Sequence, residues 1–344
     1  MKKILCILSI LFLSFSHQLI SQDIYVDPEN GNDHNPATKD SPLQTIKKAV
    51  TRANSLTGTG TISIKLFPGI YTLEGRIDIN PVRVMTDTTR FIIEAVHLPN
   101  AVDWTQEKMP KIQSVSGNNS ETIFPHSLGF LVASPHVTFR GLKFLGNGNP
   151  ATPYYYPIAK EDKDLGDLEV VQCYFIGNKE GAAIQAGVYL HGPNTTVSHC
   201  IFHECRNGIL LFNNVDGFTV RNTIITKSYE SAFWLGPDDM PFTFTNNVIV
   251  HNNNFIVGRS EDLKYSSPLQ NSIIANNDGY VGYWSRENQH IVPISKPNIN
   301  DSSVKRKGKV AIIENKTVVL TKKHLHLTDD SDTKKLRAGI FIED

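Results

Sequence analysis

VTFRGLKF (137–144), LEVVQCYF (168–175), TTVSHCIF (195–202), FTVRNTII (218–225), FTFTNNVI (242–249) and PLQNSII (268–274) repeat one short pattern. The apolar residue five places before the last one falls at Phe139, Val170, Val197, Val220, Phe244 and Leu269, at intervals of 31, 27, 23, 24 and 25 residues. Periods of this size mark a solenoid, in which each repeat buries its apolar face only against its neighbours. Within each copy apolar and polar residues alternate, break at a small or amide residue, and resume with a second apolar pair. That is the signature of two short strands meeting at a tight bend. The bend position holds Gly141, Gln172, His199, Asn222, Asn246 and Asn271. Coils stacked about 4.8 Å apart would align these side chains, so Asn222, Asn246 and Asn271 are expected to form a buried amide ladder.

A third strand follows each unit: GVYLHG from Gly187, GILLFN from Gly208, SAFWLG from Ser231, NNFIVG from Asn253 and GYVGYW from Gly279. Three strands per coil is the arithmetic of a parallel β-helix. The density of Asn, Gly and β-branched residues disfavours helical repeats. A solenoid end exposes unpaired strand edges and calls for a cap. LQTIKKAVTRANSL (43–56) supplies one, with Leu43, Ile46, Ala49 and Val50 at helical spacing and Lys47, Lys48 and Arg52 largely opposite. The repeat is clearest over 137–290. Beyond it, the polar KPNINDSSVKRKGK (296–309) reads as a surface loop, and 305–344 is expected to hold strands that close the C-terminal end.

Residues 1–22 read as a secretory signal peptide: Lys2 and Lys3 precede an apolar run too short for a membrane span, and small or polar residues follow. The expectation is an exported protein, periplasmic or extracellular, without a membrane span, monomeric, with one domain over 23–344. Lys plus Arg and Asp plus Glu are 34 each, so no global basic field points to nucleic acid. Past the leader only Cys173, Cys200 and Cys205 remain, an odd and small number. Cys173 and Cys200 read as stacked free thiols of the core, with no disulfide framework.

The segment IYVDPENGNDHNPATKDSPLQTI (24–46), the helix after it and ISIKLFPGIYTL (62–73) resemble the N-terminal cap and first coil of the pectate-lyase-like superfamily. The resemblance spans roughly 23–290. It implies an all-β, right-handed parallel β-helix with an N-terminal capping helix. It also implies action on acidic polysaccharides, by lyases, polygalacturonases or epimerases, or a non-enzymatic surface role; fold alone does not choose among them. In many members the site lies on the outer face of the strand that here carries GVYLHG, GILLFN and SAFWLG.

If Val188 and Leu190 point inward, Tyr189 and His191 point outward and suit proton transfer. Arg206, Arg259, Tyr229 and Lys264 complete the catalytic candidates. Trp234, Tyr283, Arg286 and Tyr155 are the substrate-binding candidates, since Arg forks suit carboxylates and aromatic rings suit sugar faces. The long insertion GNGNPATPYYYPIAKEDKDLGD (146–167) is expected to wall a cleft with Tyr154, Tyr155 and Tyr156. Asp216, Asp239 and Asp262 recur 23 residues apart on successive turns, where stacked carboxylates would share a Ca²⁺ ion. These features point to β-elimination on a uronic-acid-containing glycan, by a lyase or by a dehydratase of a terminal uronate. A polygalacturonase-type hydrolase would use Asp216 and Asp239 as its paired acids, and a non-catalytic glycan-binding protein would need none of these residues to converge.

Overall fold

The computed structural model describes residues 21–120, 124–236, 242–265, 268–314, 321–332 and 334–342. Three nine-stranded sheets wind around one core. The first runs from Gln22–Val26 to Leu269–Gln270 and the second from Ile70–Leu73 to Val304–Lys305. The third begins at Ile77–Ile79, and its last parallel strand, Gly279–Ser285, turns back into the antiparallel His290–Pro293. All other ladders described are parallel.

The repeat markers are the observed register: Phe139 pairs with Val170, then Val197, Val220, Phe244 and Leu269, all wholly buried. In the second sheet Phe144, Phe175 and Phe202 stack ring on ring, at 4.9 Å and 4.6 Å. That spacing is the inter-strand distance itself, so the core is a column of rings set by the backbone. Gly187 lies where any Cβ would meet the Phe202 ring at 2.6 Å, which ties this glycine to the column.

The bend residues answer to backbone conformation rather than to burial. Gly141, Gln172, His199, Asn222, Asn246 and Asn271 all have positive φ, from 38° to 71°. Glycine adopts this left-handed region freely, and asparagine does so more readily than other side chains. Asn222 and Asn246 are only half-buried and Asn271 is exposed. The expected ladder is therefore one residue out of register; Asn271 Nδ2 does donate to Asn246 Oδ1 at 2.6 Å, but at the surface.

The buried ladder belongs to the next residue. Asn247 Oδ1 accepts from Thr223 N at 3.0 Å, Asn247 Nδ2 donates to Val220 O at 3.0 Å, and Asn247 N donates to Ser272 Oγ at 2.9 Å. A second ladder at the other corner runs through Ser228, Asn252 and Asn277. Asn247→Ala should leave a buried donor on Thr223 and a buried acceptor on Val220 unpaired, at a cost of about 2–4 kcal/mol. Asn246→Ala should cost about 1 kcal/mol, from left-handed backbone strain and the loss of the exposed bond from Asn271. Urea unfolding midpoints check this order, and equal losses would contradict it.

The cap is a helix, Ile46–Asn54, that buries Ile46, Ala49, Val50 and Ala53 against the first strands. Thr45 Oγ1 accepts from Lys48 N at 3.1 Å and starts it. Leu43 lies outside the helix and bridges Val26 instead. Cys173, Cys200 and Cys205 are free and buried. Among the described residues no helix is long and apolar enough to cross a membrane.

Among the described residues no strand follows Val304–Lys305, and residues 315–320, on which part of the expected closing strands falls, lie outside the described residues. Past Val304–Lys305 the described part forms one isolated bridge, Ile312 to Leu327, and a short 3-10 helix, Lys334–Leu336. Val310, Leu325 and Ile340 pack on the outer face of the second sheet, over Tyr174, Ile201, Ile224 and Val248. This apolar outer face would otherwise meet water, so the segment runs along the solenoid as a strap. Tyr174 Oη donates to His324 O at 2.9 Å and Gln172 Nε2 to Ile340 O at 2.8 Å.

His326 sits under the strap with both ring nitrogens used: Nδ1 faces His324 O at 3.0 Å and Nε2 accepts from Ile340 N at 3.1 Å. Only the neutral ring fits both partners. Burial pushes His326 down to about 4, and burial does the same to His203. Between the ordinary value near 6.5 and about 4 the unfolded chain binds protons that the folded chain refuses. Stability should therefore be constant above pH 6.5 and fall as pH drops toward 4, by on the order of 3 kcal/mol per histidine. His326→Gln should flatten part of that slope in urea titrations at several pH values; an unchanged slope would remove His326 from the account.

Candidate active site

The outer face of the third sheet is where the sequence-predicted residues gather. Val188 and Leu190 do point into the core, and Tyr189 points out. It is not an open polar face, however. Tyr189 is 8% exposed and packs with Tyr156, Leu210 and Leu128, with Phe212 and Trp234 alongside. Its ring lies 4.9 Å from Tyr156 and 5.4 Å from Phe212. His191, just past the strand end, stacks on Phe212 at 5.2 Å, and its Nε2 lies 2.9 Å from Tyr189 Oη. Burial, and then Glu161, pushes Tyr189 up to about 12. Burial holds His191 below its ordinary value.

Two adjoining cavities form the cleft. An aromatic lobe of about 250 Å³ is lined by Tyr154, Tyr156, Tyr189, Phe212, Trp234 and Trp284, among others. A polar lobe of about 620 Å³ is lined by Asn149, Lys179, Glu180 and Tyr229, among others. Gln185, Arg206 and Glu230 line both, so the two lobes meet at Arg206. These three residues stand on successive coils just before their third-sheet strands.

Arg206 Nε donates to Glu230 Oε2 at 2.6 Å, and Asn207 Nδ2 donates to Glu230 Oε1 at 3.0 Å. Ser231 Oγ in turn holds Asn207 Oδ1 at 2.6 Å. Burial works against the Arg206 charge, but Glu230 outweighs it and raises the guanidinium further. Glu230 uses only Nε, and the terminal nitrogens are the fork that matches a carboxylate. Burial pushes Tyr229, on the other side of Arg206, up to about 12. Both tyrosines are protonated at neutral pH.

The structure thus brings together Tyr189, His191, Arg206, Tyr229 and Trp234. It leaves the others elsewhere. Tyr155 is wholly buried in the core, because YYYPIAK is no loop: Tyr155–Lys160 is a third-sheet strand, with Tyr155 inward and Tyr156 outward. Arg259 and Lys264 are exposed and line neither lobe; Lys264–Tyr265 pairs with Asn298–Ile299 in a separate two-stranded sheet. Tyr283 shares strand parity with the core residue Val281, so Trp284 takes the cleft position instead. Arg286 is exposed in the hairpin turn after Ser285. Asp216 and Asp262 are exposed, and Asp239 lies outside the described residues. Among the described residues no three His, Cys, Asp or Glu converge to hold a metal ion.

Sequence reasoning missed Glu230, Gln185 and Trp284, while Tyr154 and Tyr156 of the expected tyrosine wall do line the aromatic lobe. Glu230 had a signal: it stands one coil above Arg206, where a stacked opposite charge is a natural partner.

Among solved structures, the chain is similar to a rhamnogalacturonan lyase at 13% identity, over 76% of this chain and 70% of that one, with a TM-score of 0.52. A pectate lyase matches at 15% identity over 90% of each chain, with a TM-score of 0.49. A lacto-N-biosidase from Eubacterium ramulus matches at 12% identity over 83% of this chain and 67% of that one, with a TM-score of 0.41. No curated protein matches the sequence. The first of these likenesses is one of fold. Residues 166–312 match the family model described as a right handed beta helix region, and the fold of the chain is a parallel β-helix.

Proposed function

We propose that the protein acts on a uronic-acid-containing glycan by β-elimination in this cleft. The observation that carries the reading is the meeting of Arg206 with Tyr189 in one aromatic-walled site. Elimination needs a cation on the uronate carboxylate, which stabilises the charge that develops as the C5 proton leaves, and a hydroxyl positioned for proton transfer. Arg206 supplies the first, held in place by Glu230; Tyr189 supplies the second, and the rings of Tyr156, Phe212 and Trp234 offer faces for sugar stacking. If the group on C4 is a sugar the reaction is a lyase cut, and if it is a terminal hydroxyl it is a dehydration.

A hydrolase would need two carboxylates about 5–9.5 Å apart flanking the bond. The carboxylate that lines the aromatic lobe among the described residues, Glu230, has both oxygens engaged. Asp216 lies exposed on a turn outside both lobes. The test is ultraviolet absorbance from an unsaturated uronate across a panel of pectate, alginate, ulvan and glycosaminoglycan oligomers. Growth of that absorbance on one of them supports elimination; substrate loss without it refutes the reading.

A further inference from the structure

The hydrogen bond between Tyr189 and His191 has a direction that fixes which residue handles the proton. His191 Nδ1 accepts the main-chain N–H of Asn213 at 3.4 Å. An amide N–H only donates, so Nδ1 presents its lone pair, and a neutral imidazole must then carry its one hydrogen on Nε2. The ring is neutral at physiological pH, since burial lowers His191 ahead of the opposed influences of Glu161 and Lys160. Stacking on Phe212, with the ring planes 18° apart, holds the imidazole in this orientation. Nε2–H therefore points at Tyr189 Oη, 2.9 Å away, and Tyr189 is the acceptor of that bond. The phenol's own hydrogen is left over for the aromatic lobe that Tyr189 lines.

We infer that Tyr189 alone exchanges protons with the substrate, while His191 is a positioning residue that donates to it, the reverse of a histidine acting as base. This rests on the elimination reading above. In one concerted step Tyr189 gives its O–H proton to the oxygen on C4 while the same phenol oxygen takes the C5 proton, so the C5–H electron pair becomes the C4–C5 π bond as the C4–O bond breaks. Tyr189 ends as it began, so no other acid, base or co-reactant is needed. The His191 Nε2–H donates to the phenol oxygen as negative charge builds on it, and Arg206 neutralises the substrate carboxylate as the C5 proton leaves.

Nitrogen NMR of the ¹⁵N-histidine-labelled protein tests the direction without any substrate. Nε2 is expected to be protonated and Nδ1 unprotonated through the neutral range; the opposite pattern overturns the inference. Kinetics test the role. His191→Gln places an amide N–H donor near Tyr189 and should keep kcat within about tenfold of the parent, whereas His191→Ala should lose about 10²-fold. A Gln variant that folds and is as slow as the Ala variant overturns the donor role. A protein that shows the expected NMR pattern but forms no unsaturated product from any glycan keeps the hydrogen-bond assignment and loses the elimination reading, and with it the proton exchange.

Discussion

Tyr189→Phe is expected to fold like the parent and to lose turnover by about 10²–10⁴-fold, the range carried by a positioned acid or base. The substitution keeps the ring, so the contacts with Tyr156 and Phe212 that close the cleft floor persist. It removes one oxygen, whose protein partner is His191 Nε2. Leaving that N–H without its acceptor at the half-buried rim should cost about 1 kcal/mol, too little to unfold a solenoid. Thermal melting and the rate of unsaturated product report the two effects separately. A wild-type rate would remove Tyr189 from the chemistry and turn attention to Tyr229, which faces Arg206 from the polar lobe.

Arg206→Ala should be nearly as damaging to activity, about 10²–10³-fold, because it removes the charge that would meet the substrate carboxylate. It should also cost stability, since Glu230 would be left mostly buried without its cation. Arg206 is 34% exposed, so solvent weakens the pair and the cost is set at roughly 1–3 kcal/mol. The double variant Arg206→Ala with Glu230→Ala removes both charges. It should recover most of the stability and none of the activity. Recovery of activity along with stability would mean that Arg206 serves only the fold.

The solenoid was legible in the sequence because each coil repeats the same local demand. The Phe139 to Leu269 series became the register of the first sheet without adjustment. The asparagine ladder was read one position early, since two requirements sit side by side at the bend: a left-handed backbone at Asn246 and a buried amide at Asn247. Asparagine satisfies either, so residue type alone does not separate them. Tyr155 was misread for a related reason. Its coil carries a long connection, which hid the strand, and three adjacent tyrosines give no parity until their strand is paired.

In the site, strand alternation pointed Tyr189 outward, but it did not say how deeply neighbouring coils would cover it. Arg259, Lys264 and Arg286 are cations on exposed turns and short edge strands, where local sequence carries little information about direction. The strap that carries Val310, Leu325 and Ile340 has no repeat to reveal it. Its contacts with Tyr174 and Ile224 join residues that only the outer face of the second sheet brings together.

The central claim, elimination in the Arg206–Tyr189 cleft, is tested most directly by mass spectrometry of products formed in ¹⁸O-enriched water. Elimination adds no water, so the wild-type protein should release an unsaturated uronate without ¹⁸O, and Tyr189→Phe should release almost none. Products that carry ¹⁸O at the cut end and no unsaturation would show hydrolysis and contradict the account.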